Sequence, residues 1–556
     1  MLFDIKTLAF KAVWRLILVI TASYLAVACG EQEQTTLTET QAQTTTTESI
    51  EESTNQTDKT LIWARHGDVD SLDPHRTTTT LSWQVFDQIY DTLLAFDANG
   101  KLVPHLAKSW MPSEDGREVT FVLNEGITCH DGTPFDGQDV KFTADRAFNT
   151  GNASVTQASW GPITSVEVID PLTVKFKFSK PFGAFIPFMA DPFAGMICDS
   201  VSELGSAFGM STAIGTGPWK LVSWNRGDQI VLERNADYKN YGRPVANSGA
   251  PYLGQLIIKQ VPEANVRLAT LQAQEIEVIT EPSLDDIEAI KTNDDLELVV
   301  ADKTGQNVFL QFTVSRPPFN DVRARQAIAY AIDPQSALDA AFDGLVKREH
   351  CTVARGVLGN DQEFCKGLGY DHNPERAKQL LAELGYGPNQ PLEITMLTWS
   401  GGNQESLLRL FQKQLTQVGI KAEIEIMDLG AMNARIRQEN ENSSGKGMFN
   451  LVGWGWYDPD ILYALWHSPG AYSGFQTPEL DKLLEKTRTV VAPAQRLEAV
   501  QAVQKYLLKN AVMIPIYTPG WLSTYTIRAD VEGFKIGPFN RPIFNDVKIN
   551  DVKLGS

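Results

Sequence analysis

The stretch Phe449-Asn450-Leu451-Val452-Gly453-Trp454-Gly455-Trp456-Tyr457-Asp458-Pro459-Asp460 decides how this chain is read. It starts as an apolar strand, breaks at a Trp-Gly-Trp-Tyr cluster and turns at Asp458-Pro459. Proline fixes its own φ there and pushes Asp458 toward an extended conformation. Upstream, Leu392–Trp399 reads as a strand, and residues 404–418 place Leu407, Leu408, Phe411, Leu415 and Val418 on one helical stripe. Ile420–Met427 alternates as a second strand, and 431–439 reads as a short helix leading into the third. The order β-α-β-α-β predicts a parallel sheet with right-handed crossovers, whose ligands sit beyond the carboxyl ends of the strands. The aromatic cluster falls there. A lone tryptophan at such a place reads as core; three aromatics interleaved with glycine and acid read as a ligand wall. Trp454, Trp456, Tyr457 and Asp458 are therefore candidate ligand-binding residues, with Trp399 at the end of the neighbouring strand.

At 556 residues the chain exceeds one hydrophobic core and predicts two or three structural units. Its 49 Lys+Arg against 68 Asp+Glu give a net charge of −19, which repels phosphate backbones and excludes nucleic acid as a partner. The N-terminus is read apart from the fold. Lys6, Lys11 and Arg15 precede an apolar run, 16–28, that is short for a membrane span and fits a secretory signal over residues 1–28. Leu25-Ala26-Val27-Ala28-Cys29-Gly30 resembles a bacterial lipobox, in which Cys29 is acylated and becomes the mature N-terminus, although Ala26 stands where leucine is usual. Residues 29–58 are dominated by Thr, Glu, Gln and Ser and read as a disordered tether. A tether after an acylatable cysteine makes sense for a lipoprotein held at a membrane. Export permits disulfides. Cys129, Cys198, Cys351 and Cys365 allow three pairings. Cys351 and Cys365 enclose a Gly-rich loop, so their local bridge is the economical expectation, with Cys129 to Cys198 following by elimination.

Ordered sequence begins near Thr60 with a strand at 61–65, then Ser71-Leu72-Asp73-Pro74-His75, the threonine run 77–80, and a helix expected to carry Val85, Ile89, Leu93 and Leu94. A clean alternating strand, Glu118–Leu123, is followed by Gly126…Asp131-Gly132-Thr133-Pro134…Asp139-Val140-Lys141-Phe142, an Asp-Gly turn, a Pro turn and an Asp-capped helix. Gly215-Thr216-Gly217 is not a phosphate loop, because Pro218 lacks an N–H and a strand follows. Asn373-Pro374 and Thr477-Pro478-Glu479 read as helix starts. These segments, with Pro317-Pro318-Phe319-Asn320-Asp321-Val322-Arg323 and Ile514-Pro515-Ile516-Tyr517, resemble the peptide/nickel class (family 5) of extracellular solute-binding proteins of ABC importers. The resemblance runs in order from Leu61 to Lys548 and includes dipeptide- and oligopeptide-binding proteins.

The resemblance implies an α/β, two-lobed periplasmic-binding-protein-like fold with a hinge. Lobe I would take about 59–304 plus 519–556, with an inserted subdomain near 91–212, and lobe II about 305–518. It implies a monomer at the periplasm or the outer face of the cell membrane, passing its solute to ABC permease and ATPase subunits on separate chains. In peptide-binding relatives an Asp a few residues beyond the strand-end Trp pairs with the peptide's α-amino group. The segment here is several residues shorter, leaving Asp458 as the substitute candidate. Thr78 and Thr80 lie where relatives contribute cleft residues. A di- or oligopeptide is the expected ligand; a non-peptide solute (sugar, opine-like or metal-chelate) is the alternative favoured by the shortened turn.

Enzyme signatures are missing. The sequence contains no HExxH, Gly-x-Ser-x-Gly or Walker A motif, and its seven histidines are scattered, so no catalytic residue, metal or cofactor is expected. A secreted hydrolase with two carboxylates in an aromatic cleft is the competing class. A purely structural surface lipoprotein would leave the aromatic strand end unexplained. If Cys29 carries the anchor, Cys29→Ser shifts the exported protein from the membrane to the soluble fraction; an unmutated protein that is soluble and unacylated after export contradicts the lipobox reading.

Overall fold

The computed structural model describes residues 55–550 except 78, 149–153, 155, 400–402, 428, 442–444, 469–473 and 520–522. Cys29, the expected signal segment and Thr78 lie outside the described residues. Residues Gln56–Asp58, which composition places in the tether, form a 3-10 turn, and the Gln56 side chain donates to the Ile549 carbonyl at 2.9 Å.

The architecture is α/β, built on two large mixed sheets. The first has seven strands in the order Leu296–Val300, Thr524–Arg528, Val278–Thr280, Thr60–Arg65, Gln255–Gln260, Gln229–Arg234 and Trp219–Asn225. The second has six: Lys347–Arg348, Met513–Thr518, Gln306–Phe312, Gly447–Gly455, Leu392–Trp399 and Ile420–Met427. A separate four-stranded antiparallel sheet, Ala107–Pro112, Glu118–Leu123, Thr173–Phe178 and Ile163–Asp170, lies in the chain between the strands of the first.

The β-α-β-α-β segment folds as its periodicity predicts. Leu392–Trp399 pairs in parallel with Ile420–Met427 on one side and with Gly447–Gly455 on the other. Strands covered on both faces need near-continuous apolar side chains, and Met448, Phe449, Leu451 and Val452 are all buried. Leu407, Leu408, Phe411 and Leu415 of the helix Gln404–Gln417 pack into the same core. Each such side chain contributes roughly 1.5–3 kcal/mol through burial.

The chain passes between the two large sheets twice. Residues 301–305 link Leu296–Val300 to Gln306–Phe312, and a second connection links Met513–Thr518 to Thr524–Arg528.

One helix departs from expectation. It spans Thr80–Ile89, with Thr79 as its N-cap, and Leu93 and Leu94 lie beyond its end. Tyr90 leaves helical dihedrals at φ −114° and ψ 142°, and Leu94–Phe96 pairs with Leu102–Pro104. Arg243 sets this boundary: its Nη2 donates to the Tyr90 carbonyl at 2.9 Å and to Asp91 at 2.7 Å. A cation bound to the last turn complements the carbonyl end of the helix. Periodicity along one segment cannot register an arginine 153 positions away.

Both disulfides are present, Cys351 to Cys365 and Cys129 to Cys198, each pair buried. The first closes a sequence separation of 14 residues and the second one of 69. On the chain-entropy model, replacing the first pair with serine lowers unfolding free energy by about 3 kcal/mol and replacing the second by about 4 kcal/mol. Urea unfolding of the two double variants checks the size and the order.

Candidate functional site

The turn after Gly447–Gly455 is held by two arginines. Arg496 Nη1 and Nη2 donate to Asp458 Oδ2 and Oδ1 at 2.8 and 2.6 Å, a bidentate pair in which both side chains are buried. Burial opposes the charge on Arg496, but Asp458 outweighs it and holds the guanidinium pKa above its ordinary value. Asp458 Oδ1 also accepts the Asp460 N–H at 2.9 Å, closing the turn over Pro459. Arg488 then grips Asp460 through Nε and Nη2 at 2.6 and 2.7 Å. Burial still pushes the Asp460 carboxyl up, with Arg488 pulling the other way.

With the turn fixed, Trp456 and Tyr457 stack with centroids 5.6 Å apart and an interplanar angle of 24°. The Trp456 N–H donates to the Gly305 carbonyl at 2.9 Å, tying the aromatic pair to the first crossing between the sheets. Gly305 has φ +69°, and a Cβ there would approach Phe539 to 2.7 Å, so this position demands glycine. Tyr457 reaches across to Phe96 and Phe188, with centroids at 6.4 and 6.2 Å, both from the part of the chain that carries the four-stranded sheet.

A cavity of about 70 Å³ lies at this junction. Trp456, Tyr457 and Gly455 line one side, Thr80 and Trp83 of the helix Thr80–Ile89 another, and the crossing residues Thr304, Gly305 and Gln306 a third. Asp191, Phe193 and Phe539 complete it. The space holds a few water molecules at roughly 30 Å³ each, far below the roughly 300–1,000 Å³ of a drug-sized site. Asp191 caps the 3-10 turn Pro192–Ala194, its Oδ1 accepting from the Phe193 N–H at 2.8 Å, and is only 2% exposed. Burial pushes its carboxyl up to about 7, with the Phe193 N–H and Arg541 pulling down. The Trp83 indole N–H also lowers it, yet makes no hydrogen bond of ordinary geometry. Burial, then Asp191, raise the Tyr457 phenol well above its ordinary value, so it stays neutral.

A larger groove of about 350 Å³ opens at the far edge of the second sheet. Its lining mixes Arg409, Lys413, Lys421 and Lys446 with Glu393 and Glu423, and Lys446 is already paired with Glu423 at 2.9 Å. It offers a solvated charged face with no aromatic wall.

Residues 101–474 match the family described as bacterial extracellular solute-binding proteins, family 5 Middle. The chain belongs to this family. The glutathione-binding protein GsiB of Escherichia coli K12 is 28% identical over 505 residues, covering 88% of this chain and 94% of that protein. Among solved structures, the substrate-binding protein CtaP of Listeria monocytogenes superposes with TM-score 0.77 at 22% identity, covering 89% of this chain and 100% of that one. The dipeptide-binding protein of Pseudoalteromonas sp. SM9913, in complex with Met-Leu, gives TM-score 0.71 at 24% identity, with 88% and 100% covered. The fold is therefore the two-lobed one of these binding proteins. The relatives are binding proteins rather than enzymes, and so is this chain. Among the described residues, no helix is long and apolar enough to cross a membrane.

In this solute-binding protein the residues singled out from sequence separate into three groups. Trp456, Tyr457 and Thr80 meet at the cavity. Trp454 lies instead on a pocket of about 10 Å³ with Asn307 and Phe309, and Trp399 is half-buried near Gly453, where a Cβ would meet its Cη2 at 3.6 Å. Asp458 is the main departure: expected to face a ligand, it has both carboxylate oxygens engaged by Arg496. Trp83, Asp191, Phe193, Gln306 and Phe539 were missed. One signal was available for Asp191, the single charged residue in the apolar run 181–198.

Asp458→Asn would strand the buried Arg496 charge, so a loss of about 3–5 kcal/mol in folding stability is expected, measured by urea unfolding. Unchanged stability combined with lost ligand affinity would return Asp458 to the ligand.

Proposed function

We propose that this protein is the receptor of an ABC importer, closing its two lobes over a small solute between the two large sheets and handing it to permease and ATPase subunits on other chains. One observation carries the placement. Trp456 and Tyr457 from the second sheet, Thr80 and Trp83 from the helix Thr80–Ile89 and the lone acid Asp191 converge on one small cavity beside the chain crossing. Stacked rings supply apolar area with defined orientation, while a few polar groups set specificity. Closure around such a site is a hinge motion that the transport partners can recognise.

A di- or oligopeptide is the ligand class we favour. The glutathione-binding relative and the dipeptide-bound fold neighbour support it, since both take short peptides or peptide-like molecules. A compact non-peptide solute is the second reading, favoured by the cavity's 70 Å³. We place the protein at the periplasm or outer face of the cell membrane, anchored through Cys29, with lobe I at about 59–304 plus 519–556 and lobe II at about 305–518. The two sheet systems and the chain's two passages between them support that division.

Mass spectrometry of small molecules released from the purified protein identifies the class. Trp456→Ala is expected to weaken the recovered ligand by about 2–4 kcal/mol in calorimetry, the range of a central aromatic anchor. Full affinity in that variant would make Trp456 a core residue and move the site elsewhere.

A further inference from the structure

The buried acids near this site are not alike. Asp458 and Asp460 are held by Arg496 and Arg488, Asp87 by Arg541 and Arg243, and Asp91 by Arg243. Asp139 has no arginine partner among the described residues but accepts backbone N–H groups on both oxygens, at 2.7 and 2.8 Å. Asp191 has neither arrangement. Its Oδ1 takes the Phe193 N–H, no salt bridge reaches it among the described residues, and Arg541 is turned to Asp87 and the Ala190 carbonyl. A buried carboxylate in that state is costly unless a cation completes it.

The surroundings match a cation of limited size. Trp83, Phe193, Trp456, Tyr457 and Phe539 line the same cavity, and aromatic faces attract a desolvated cation through their quadrupoles. Gln306 Oε1 is buried, has no hydrogen-bond partner among the described residues and adds an acceptor. The Trp83 indole N–H already favours the Asp191 carboxylate, although among the described residues it makes no hydrogen bond of ordinary geometry. An ammonium group suits this set. Its N–H groups would satisfy Asp191 and Gln306, its charge would meet the rings, and its volume fits about 70 Å³.

We infer that Asp191, rather than Asp458, is the cation anchor of this binding site, and that the site selects solutes presenting a compact ammonium group. The inference rests on the cavity being the ligand site. The ammonium could belong to a free small amine or to the amino terminus of a short peptide.

A pH signature follows. Around Asp191 stand Arg541, the paired Asp87 and the neutral Tyr457 phenol, with Trp83 uncharged. In the ligand-free protein the carboxyl lies at about 7 because of burial, against about 3.9 unfolded. The folded value is the higher one, so this group's contribution to stability is full below about pH 4 and is lost as pH rises toward 7. Binding runs the other way. An ammonium ligand needs the carboxylate, so affinity falls by up to about tenfold per pH unit below 7.

The test uses the purified full-length protein, with methylamine, alanyl-alanine and N-acetyl-alanyl-alanine as probes in thermal-shift and calorimetric titrations at pH 5 to 8. Ammonium-bearing probes are expected to bind at pH 7.5 and to weaken toward pH 5, with the acetylated peptide at least about 30-fold weaker than its parent. Asp191→Asn, whose amide can still cap Phe193, is expected to lose that preference and the pH slope, and to melt above wild type at pH 8 but level with it at pH 4. Saturation by methylamine alone points to a free amine; tight binding only of alanyl-alanine points to a peptide terminus. Equal binding of the acetylated and free peptides, no shift with either ammonium probe, or an Asp191→Asn profile parallel to wild type overturns the inference. If Trp456→Ala abolishes binding while Asp191→Asn does not, the site stands and the ammonium anchor falls; if neither changes it, both fall.

Discussion

The Asp458–Arg496 pair is the contact on which the geometry of the aromatic turn depends. A strand that ends in Trp-Gly-Trp-Tyr has no intrinsic reason to hold its rings in one direction. The bidentate guanidinium fixes the following turn, and Arg488 on Asp460 fixes the next step. Both arginines come from the segment 488–496, which also touches the other part of the molecule. Gly183 donates its N–H to the Arg488 carbonyl at 2.6 Å, and a Cβ on Gly183 would meet the Val490 carbonyl oxygen at 2.5 Å. Arg488 lies over the Phe182 ring at 5.4 Å. The segment that shapes the aromatic turn thus also packs against Phe182 and Gly183.

Charge is distributed with a purpose that burial makes visible. Desolvation penalises an isolated ion, so acids that shape the backbone are completed by arginine or by backbone N–H groups. That division separates carboxylates already completed within the fold from Asp191, which no salt bridge reaches among the described residues. An acid one residue from an aromatic cluster can belong to the first kind, and an acid 265 positions away in sequence to the second.

Much of the fold was legible because its signals are local. Hydrophobic period gave the three parallel strands and the helix Gln404–Gln417, and Asn373 and Thr477 cap their helices through side-chain bonds to Arg376 and Leu480. The economical cysteine pairing held for the same reason, since a Gly-rich loop between Cys351 and Cys365 lets the chain return on itself. The candidate site was only half legible. Trp456 and Tyr457 announce themselves by composition at a strand end, and Thr80 by the run in which it sits. Asp191, Trp83 and Phe539 become neighbours through folding alone, and the partner of Asp458 lies 38 residues downstream. The helix that ends at Ile89 shows the same limit, because its terminus is set by Arg243.

The two passages of chain between the sheets have a mechanical consequence. The first is five residues long, a span of at most about 17 Å, so sliding one sheet system past the other would soon draw it taut. Because Val300 pairs with Thr524, the second connection joins the first sheet at the strand next to the first, and the easy displacement is rotation about the line joining the two points of attachment. In such a lever, displacement grows with distance from the axis. The cavity borders the axis at Gly305, so a small difference in the thickness of whatever lies between Trp456 and Trp83 becomes a larger difference at the distant rims. Fit at the centre is thereby magnified into shape at the edge.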